Sequence, residues 1–301
     1  SVDTTDDDVA GFTIVELDGA TEVDESGTTD TFTVVLDAQP SDNVVIAMSS
    51  SDIGEATISG TISFTPANWD TPQTVTVTGV DENTIDGDQT STITITIVDS
   101  ISDSDFSNVA DQTVSVVTTD DDVAGFTIVE LDGATEVDES GTTDTFTVVL
   151  DAQPTSDVVL TITSDDTGEA TVNSPLTFTP VNWDTPQTVT VTGVDEDIVD
   201  GTITSTITIA VDDANSDDDF DVVVDQTVSV DTLDDDAAGF TIVELDGATE
   251  VTEAGSTDTF TVVLDAQPTS DVVITIVSSD TGEATVTSTL TFTPANWDTP
   301  Q

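Results

Sequence analysis

Thr145-Phe-Thr-Val-Val-Leu150 places Phe146, Val148 and Leu150 at every second position, with Thr and Val between them. That is the period of a strand with one face buried and one face in water. The same texture extends in both directions. Phe126-Thr-Ile-Val-Glu-Leu131 precedes it, and Val158-Val-Leu-Thr-Ile-Thr163, Leu176-Thr-Phe-Thr179 and Thr188-Val-Thr-Val-Thr192 follow. Thr202 to Val211 and Gln226-Thr-Val-Ser-Val230 complete the series. Gly, Pro, Asp and Asn separate the runs, and no stretch carries a helical period. Seven or eight short strands in about 110 residues predict an all-β antiparallel Ig-like sandwich. Its core is expected from Phe126, Phe146, Val148, Leu150, Leu160, Ile162, Phe178, Val189, Val191, Ile207, Ile209 and Val228.

The unit recurs. Trp69, Trp183 and Trp297 are 114 residues apart, as are Gly11, Gly125 and Gly239, and residues 6–40 are identical to 120–154. A period of that length fits a tandem array of independent domains. The expected boundaries are 9–122, 123–236 and an incomplete third repeat at 237–301, with 1–8 closing a preceding repeat. Residues 237–301 lack the strands equivalent to 188–192, 202–211 and 226–230, so the third repeat is expected to be completed by further chain or by another molecule.

Charge narrows the function. The chain has 63 Asp and Glu and no Lys, Arg or His, a formal charge of −63. It also lacks Cys and Tyr. Imidazole, thiolate and amine catalysis are therefore absent, and an enzyme is not expected. Nucleic acid and anionic membranes are disfavoured as partners, because binding them rests on basic side chains. No apolar run reaches the roughly 18 residues of a membrane helix. With no internal cation, the carboxylates must be spread through solvent or neutralised by hard divalent ions, calcium above all.

Val137-Asp-Glu139-Ser-Gly, Thr188-Val-Thr-Val-Thr-Gly-Val-Asp-Glu196 and Val228-Ser-Val-Asp-Thr-Leu-Asp-Asp-Asp236 come in a familiar order. Together with Leu176-Thr-Phe-Thr-Pro180, they make the repeat resemble the Calx-beta calcium-binding sandwich, in the version found in long arrays on bacterial surface proteins. The resemblance implies calcium at one end of each sandwich. The implied ligands are Glu25, Asp81, Glu82, Asp120, Asp121 and Asp122 in the first repeat. In the second they are Glu139, Asp195, Glu196, Asp234, Asp235 and Asp236. One departure is visible: where the family has Gly-x-Asp-Tyr, this chain has Ala170-Thr-Val-Asn-Ser. The Asp99 to Asp105 loop, repeated at Asp213 to Asp219, is a second calcium candidate by recurrence of its acids.

Four functions follow from this reading. The first is a calcium-stiffened stalk of a secreted, cell-surface adhesin or fibre, whose partners are calcium and neighbouring repeats of a longer chain. The second is a self-associating extracellular filament, in which like chains also touch. The third is a carbohydrate-binding module, which requires exposed Trp side chains. The fourth is an acidic, salt-adapted protein. Trp183, set between Pro180 and Pro186, is expected to plug the end of the sandwich.

Overall fold

A computed structural model of the chain describes residues 7–17, 19–131 and 133–301. Of the expected end of a preceding repeat, residues 1–8, residues 1–6 lie outside the described residues. The chain divides into two units. The first ends at Gly125 and also takes in Asp151–Ser156; the second consists of Phe126–Leu150 and Asp157–Gln301.

In the first unit the strands are β1 Phe12–Glu16, β2 Thr21–Asp24, β3 Thr29–Leu36, β4 Val44–Ser50 and β5 Ala56–Ile58. They continue with β6 Thr61–Phe64, β7 Gln73–Gly79, β8 Gln89–Ile97 and β9 Gln112–Thr119. These form a four-stranded sheet, β1-β3-β7-β5, and a five-stranded sheet, β2-β9-β8-β4-β6. The alternation read from sequence sets the inner faces. Phe32, Val34 and Leu36 of β3 and Val75 and Val77 of β7 are buried with Ile46, Ile93, Ile95 and Val116 from the opposite sheet.

The second unit repeats the plan. Its strands are β10 Phe126–Glu130, β11 Thr135–Asp138, β12 Thr143–Leu150, β13 Val158–Ser164 and β14 Ala170–Val172. Then come β15 Leu176–Phe178, β16 Gln187–Gly193, β17 Ile203–Val211 and β18 Gln226–Leu233. The sheets are β10-β12-β16-β14 and β11-β18-β17-β13-β15. Every expected core residue from Phe126 to Val228 is buried.

In each unit the strands pair antiparallel with one exception. β2 runs parallel to β9 (Thr21↔Val116, Val23↔Thr118), and β11 likewise to β18. The first strand of the sandwich is split: β1 pairs with β3 on one sheet, and the chain then crosses to the other sheet. Having crossed without reversing, it can only join β9 in parallel.

The loop that carries Trp69 is tied by Asn68, whose side-chain oxygen accepts from Thr65 N (2.5 Å) and Thr65 Oγ1 (2.8 Å). The Trp69 ring is half-buried against the core, and its carbonyl accepts from Leu36 N at 3.2 Å. Trp183 is also half-buried, with Leu150 N donating to its carbonyl at 3.2 Å.

The third repeat contains β19 Phe240–Glu244, β20 Phe260–Leu264, β21 Val272–Thr275 and β22 Thr289–Phe292, as two separate pairs. Nothing in 237–301 plays the part of β16–β18. Phe240 is accordingly 52% exposed, whereas its equivalents Phe12 and Phe126 are 3% and 2% exposed. A groove of about 600 Å³ opens between its strands, lined by Phe240, Leu264, Val272 and Ile274.

Candidate metal centre

Glu25 follows β2 directly, and its N–H donates to Thr119 O of β9 at 3.2 Å. A tight turn holds it there: Gly27, at φ +87°, donates to Asp24 O, and Asp24 N donates to Thr28 Oγ1 at 2.8 Å. Gly79 permits the approach. A Cβ at that position would lie 2.0 Å from Asp24 O, and at Gly193 equally close to Asp138 O. Only glycine lets the end of β7 pass this close to the strand that delivers the glutamate.

Glu25 is completely buried, and neither of its carboxylate oxygens has a hydrogen-bond partner. Carboxylates from three other segments converge on it. Oxygens of Glu25, Asp120 and Asp122 lie within 4.8 Å of one another, and so do oxygens of Glu25, Glu55 and Glu82. Glu55 Oε2, Glu82 Oε1 and Asp122 Oδ2 are also buried and without donors.

The second repeat repeats the arrangement. Glu139 is completely buried with both oxygens unpartnered, and it meets Asp234 with Asp236, and Glu196 with Asp200. Glu253, the third-repeat equivalent, is exposed, because no acidic turn or closing strand surrounds it.

Each acid is aimed by its backbone. The Asp-Asp-Asp run turns on its first member: Asp120 Oδ1 accepts from Asp122 N and Oδ2 from Gly87 N, both at 2.8 Å. Asp234 does the same with Asp236 N (2.8 Å) and Gly201 N (2.7 Å). Gly87 and Gly201 sit at φ +71° and +78°, where the acidic turn reverses. Glu55 is held by a turn in which Ala56 N donates to Asp52 O, and its own carbonyl accepts from Val80 N at 2.9 Å.

Burial of these anions without a counter-charge governs their protonation. Desolvation, followed by repulsion from Asp120, Glu82 and Glu55, pushes Glu25 up to about 7. Glu139 is pushed up to about 7 by desolvation and by Asp234, Asp200 and Glu196. Glu55, Glu82 and Asp122 are raised for the same reasons, as are Glu169, Glu196 and Asp236.

The sequence-derived candidates divide accordingly. Glu25, Glu82, Asp120 and Asp122 come together, as do Glu139, Glu196, Asp234 and Asp236. Asp81, Asp121, Asp195 and Asp235 are exposed and stand outside both clusters, because neighbours in an extended run point to opposite sides. Glu55 was not among the candidates, nor was Asp200. The signal for Glu55 was present: Gly-Glu-Ala-Thr recurs unchanged at 54–57, 168–171 and 282–285.

The second calcium candidate resolves differently. Asp103 is buried, but its Oδ2 accepts from Ser41 N (2.6 Å), Ser41 Oγ (2.8 Å) and Asp42 N (2.9 Å), and its Oδ1 from Asp105 N (3.0 Å). These donors hold its carboxyl at about 2. Its oxygens are already engaged, and it joins no acidic cluster among the described residues. Asp103 fastens a loop.

The acidic turn has one further contact. Gln153 N donates to Asn83 O at 2.6 Å and Ile85 N donates to Gln153 O at 3.3 Å, within the first unit. Within the second unit Gln267 N donates to Asp197 O at 2.6 Å, and Ile198 bridges Gln267.

No family model matches the sequence, and no curated protein does. Among solved structures, the chain is similar to the calcium-binding domain CBD12 of CALX1.1. That match is 16% identical, covers 66% of this chain and 80% of that one, and has a TM-score of 0.30. Domains 4 and 5 of the S-layer protein SbsC are 15% identical over 75% of this chain and 99% of theirs, at a TM-score of 0.30. A protein of unknown function from Porphyromonas gingivalis W83 is 10% identical over 75% of this chain and 96% of its own, at a TM-score of 0.25. No helix among the described residues is long and apolar enough to cross a membrane.

Proposed function

We propose that each complete repeat binds divalent cations, calcium foremost, at the end of its sandwich. In this reading the array is a non-enzymatic, cation-stabilised extension of an extracellular surface protein. One observation carries it: Glu25 and Glu139 are fully buried, with all four of their carboxylate oxygens unpartnered, in a chain that has no cationic side chain. A buried carboxylate requires a proton, a hydrogen-bond donor or a cation. Donors are absent at both glutamates, and an all-oxygen set of this size suits a hard ion taking 6–8 oxygens.

Glu25 belongs to both three-acid groupings of its repeat, so two ions sharing its carboxylate as a bridge fit the arrangement. The ligands come from the β2–β3 turn, the segment before β5, the β7–β8 turn and the end of β9, so an ion there ties together both sheets. Stalk repeats outside a cell meet calcium at levels that suit sites of about 0.1–1 mM affinity. At a free calcium about 100 times the dissociation constant, one such ion adds about 2.7 kcal/mol to stability.

The test is thermal unfolding of the chain in calcium and in chelator at fixed ionic strength. The reading predicts a large fall in Tm on chelation, restored by calcium and only weakly by sodium. Equal melting in all three conditions would leave the acids as solvation alone. The half-buried Trp69 and Trp183 support the end-plug role over sugar stacking.

A further inference from the structure

The acids of this chain are distributed unevenly, and the unevenness marks a surface. On the four-stranded sheet β1-β3-β7-β5, buried and exposed residues alternate, and every outward-pointing strand residue is Thr or Val. The centre of the face is Thr31, Thr33, Thr74 and Thr76, paired in register as Thr31↔Thr76 and Thr33↔Thr74, with Val15 and Val35 beside them. The second repeat has the same residues in the same register.

Some hydroxyls are turned back into the sheet. Thr57 Oγ1 donates to Thr78 O at 3.3 Å, and Thr33 Oγ1 to Val15 O at 3.5 Å, so these hydroxyls are engaged within the sheet. Val15 and Val129 are 47% and 46% exposed. Acids flank this face without standing on it. Asp30 and Glu16 sit at inward positions of β3 and β1, with Asp30 accepting from Thr31 N (2.6 Å) and Glu22 N (3.0 Å). Asp37, past the end of β3, accepts from Thr13 Oγ1 at 2.7 Å. The other sheet differs: Glu22 points outward on β2, and Asp231 on β18.

We propose that this neutral, methyl-rich face is a lateral contact surface between copies of the chain. Charge selects the occupant. A cationic partner would be drawn to the acidic ends and loops, whereas this face offers it nothing. A second copy repels the first wherever acids oppose acids, with −63 on each chain. Two copies of this face can meet without opposing charge, in an isologous pairing. Four strands about 4.8 Å apart and five residues long give a face of roughly 250–350 Å². That is well below the roughly 800 Å² per partner of a stable complex, so the contact of one repeat is weak and concentration-dependent. The proposal is independent of the metal reading.

The test is sedimentation equilibrium of the full chain in about 1 M sodium chloride, where the Debye length is about 3 Å, with and without calcium. The expected result is reversible self-association in both conditions. It should fall at least tenfold when Thr31, Thr76, Thr145 and Thr190 are changed to Glu, and persist when Thr94 and Thr208 on the opposite sheets are changed instead. Threonine-methyl NMR of the unmodified protein gives a second readout that needs no substitution, since concentration should shift the methyls of the four-stranded sheet selectively. A chain that stays monomeric throughout would overturn the proposal. So would association that requires calcium and survives the Thr→Glu changes, because that result would mean ions bridging carboxylates. Concentration-dependent shifts confined to other methyls would overturn it as well.

Discussion

On the proposed reading, Glu25 and Glu139 have opposite effects on stability with and without an ion. Without metal, each is a buried acid held near 7, so the folded state binds a proton that the unfolded chain, near 4.5, does not. Metal-free stability therefore rises as pH falls from about 7 towards 4.5, and declines as pH rises through that window. Melting of chelated protein at pH 5 and pH 7.5 should show the higher Tm at pH 5. Calcium has to displace those protons, so its binding near pH 7 should release protons measurably and weaken on acidification. Glu25→Gln removes a buried charge; it should raise the Tm of metal-free protein while lowering calcium affinity in that repeat by at least about tenfold. A change of the same sign in both states would contradict the role assigned to Glu25.

At the scale of elements, the site depends on two strands passing within contact distance. Gly79→Ala places a methyl against Asp24 O, and the resulting shift of β2 should cost about 1–3 kcal/mol and loosen calcium binding. Comparing Tm and calcium titrations of this variant with wild type checks both parts. Asp103 provides the contrast. Asp103→Asn should lower stability by about 1–3 kcal/mol, to the same extent in calcium and in chelator, because its carboxylate serves backbone donors.

The period-two runs made the strands and core of each sandwich legible, since alternation alone selects the inner face. Short strands such as Thr135–Asp138 and Ala170–Val172 escaped, having too few residues to show a period. The parallel joining of β2 to β9 escaped because it follows from a sheet crossing, which leaves no local pattern. Part of the acidic centre was legible by resemblance. Glu55 carried only the recurrence of Gly-Glu-Ala-Thr, which in near-identical repeats does not separate a ligand from its neighbours; burial without a donor, a property of the folded end, is what singles it out.

For the whole molecule, a chain of −63 without one basic side chain has to find positive charge outside itself. Its carboxylates are concentrated in turns and ends, where two separate clusters converge on one buried glutamate each. The most direct test of this account is calorimetric titration of the full chain with calcium at fixed ionic strength, beside the Glu25→Gln, Glu139→Gln double variant. The account predicts saturable binding at about 0.1–1 mM, stronger than magnesium binding, with proton release near pH 7, and its loss in the double variant. Binding that never saturates, or that the double variant retains unchanged, would contradict it.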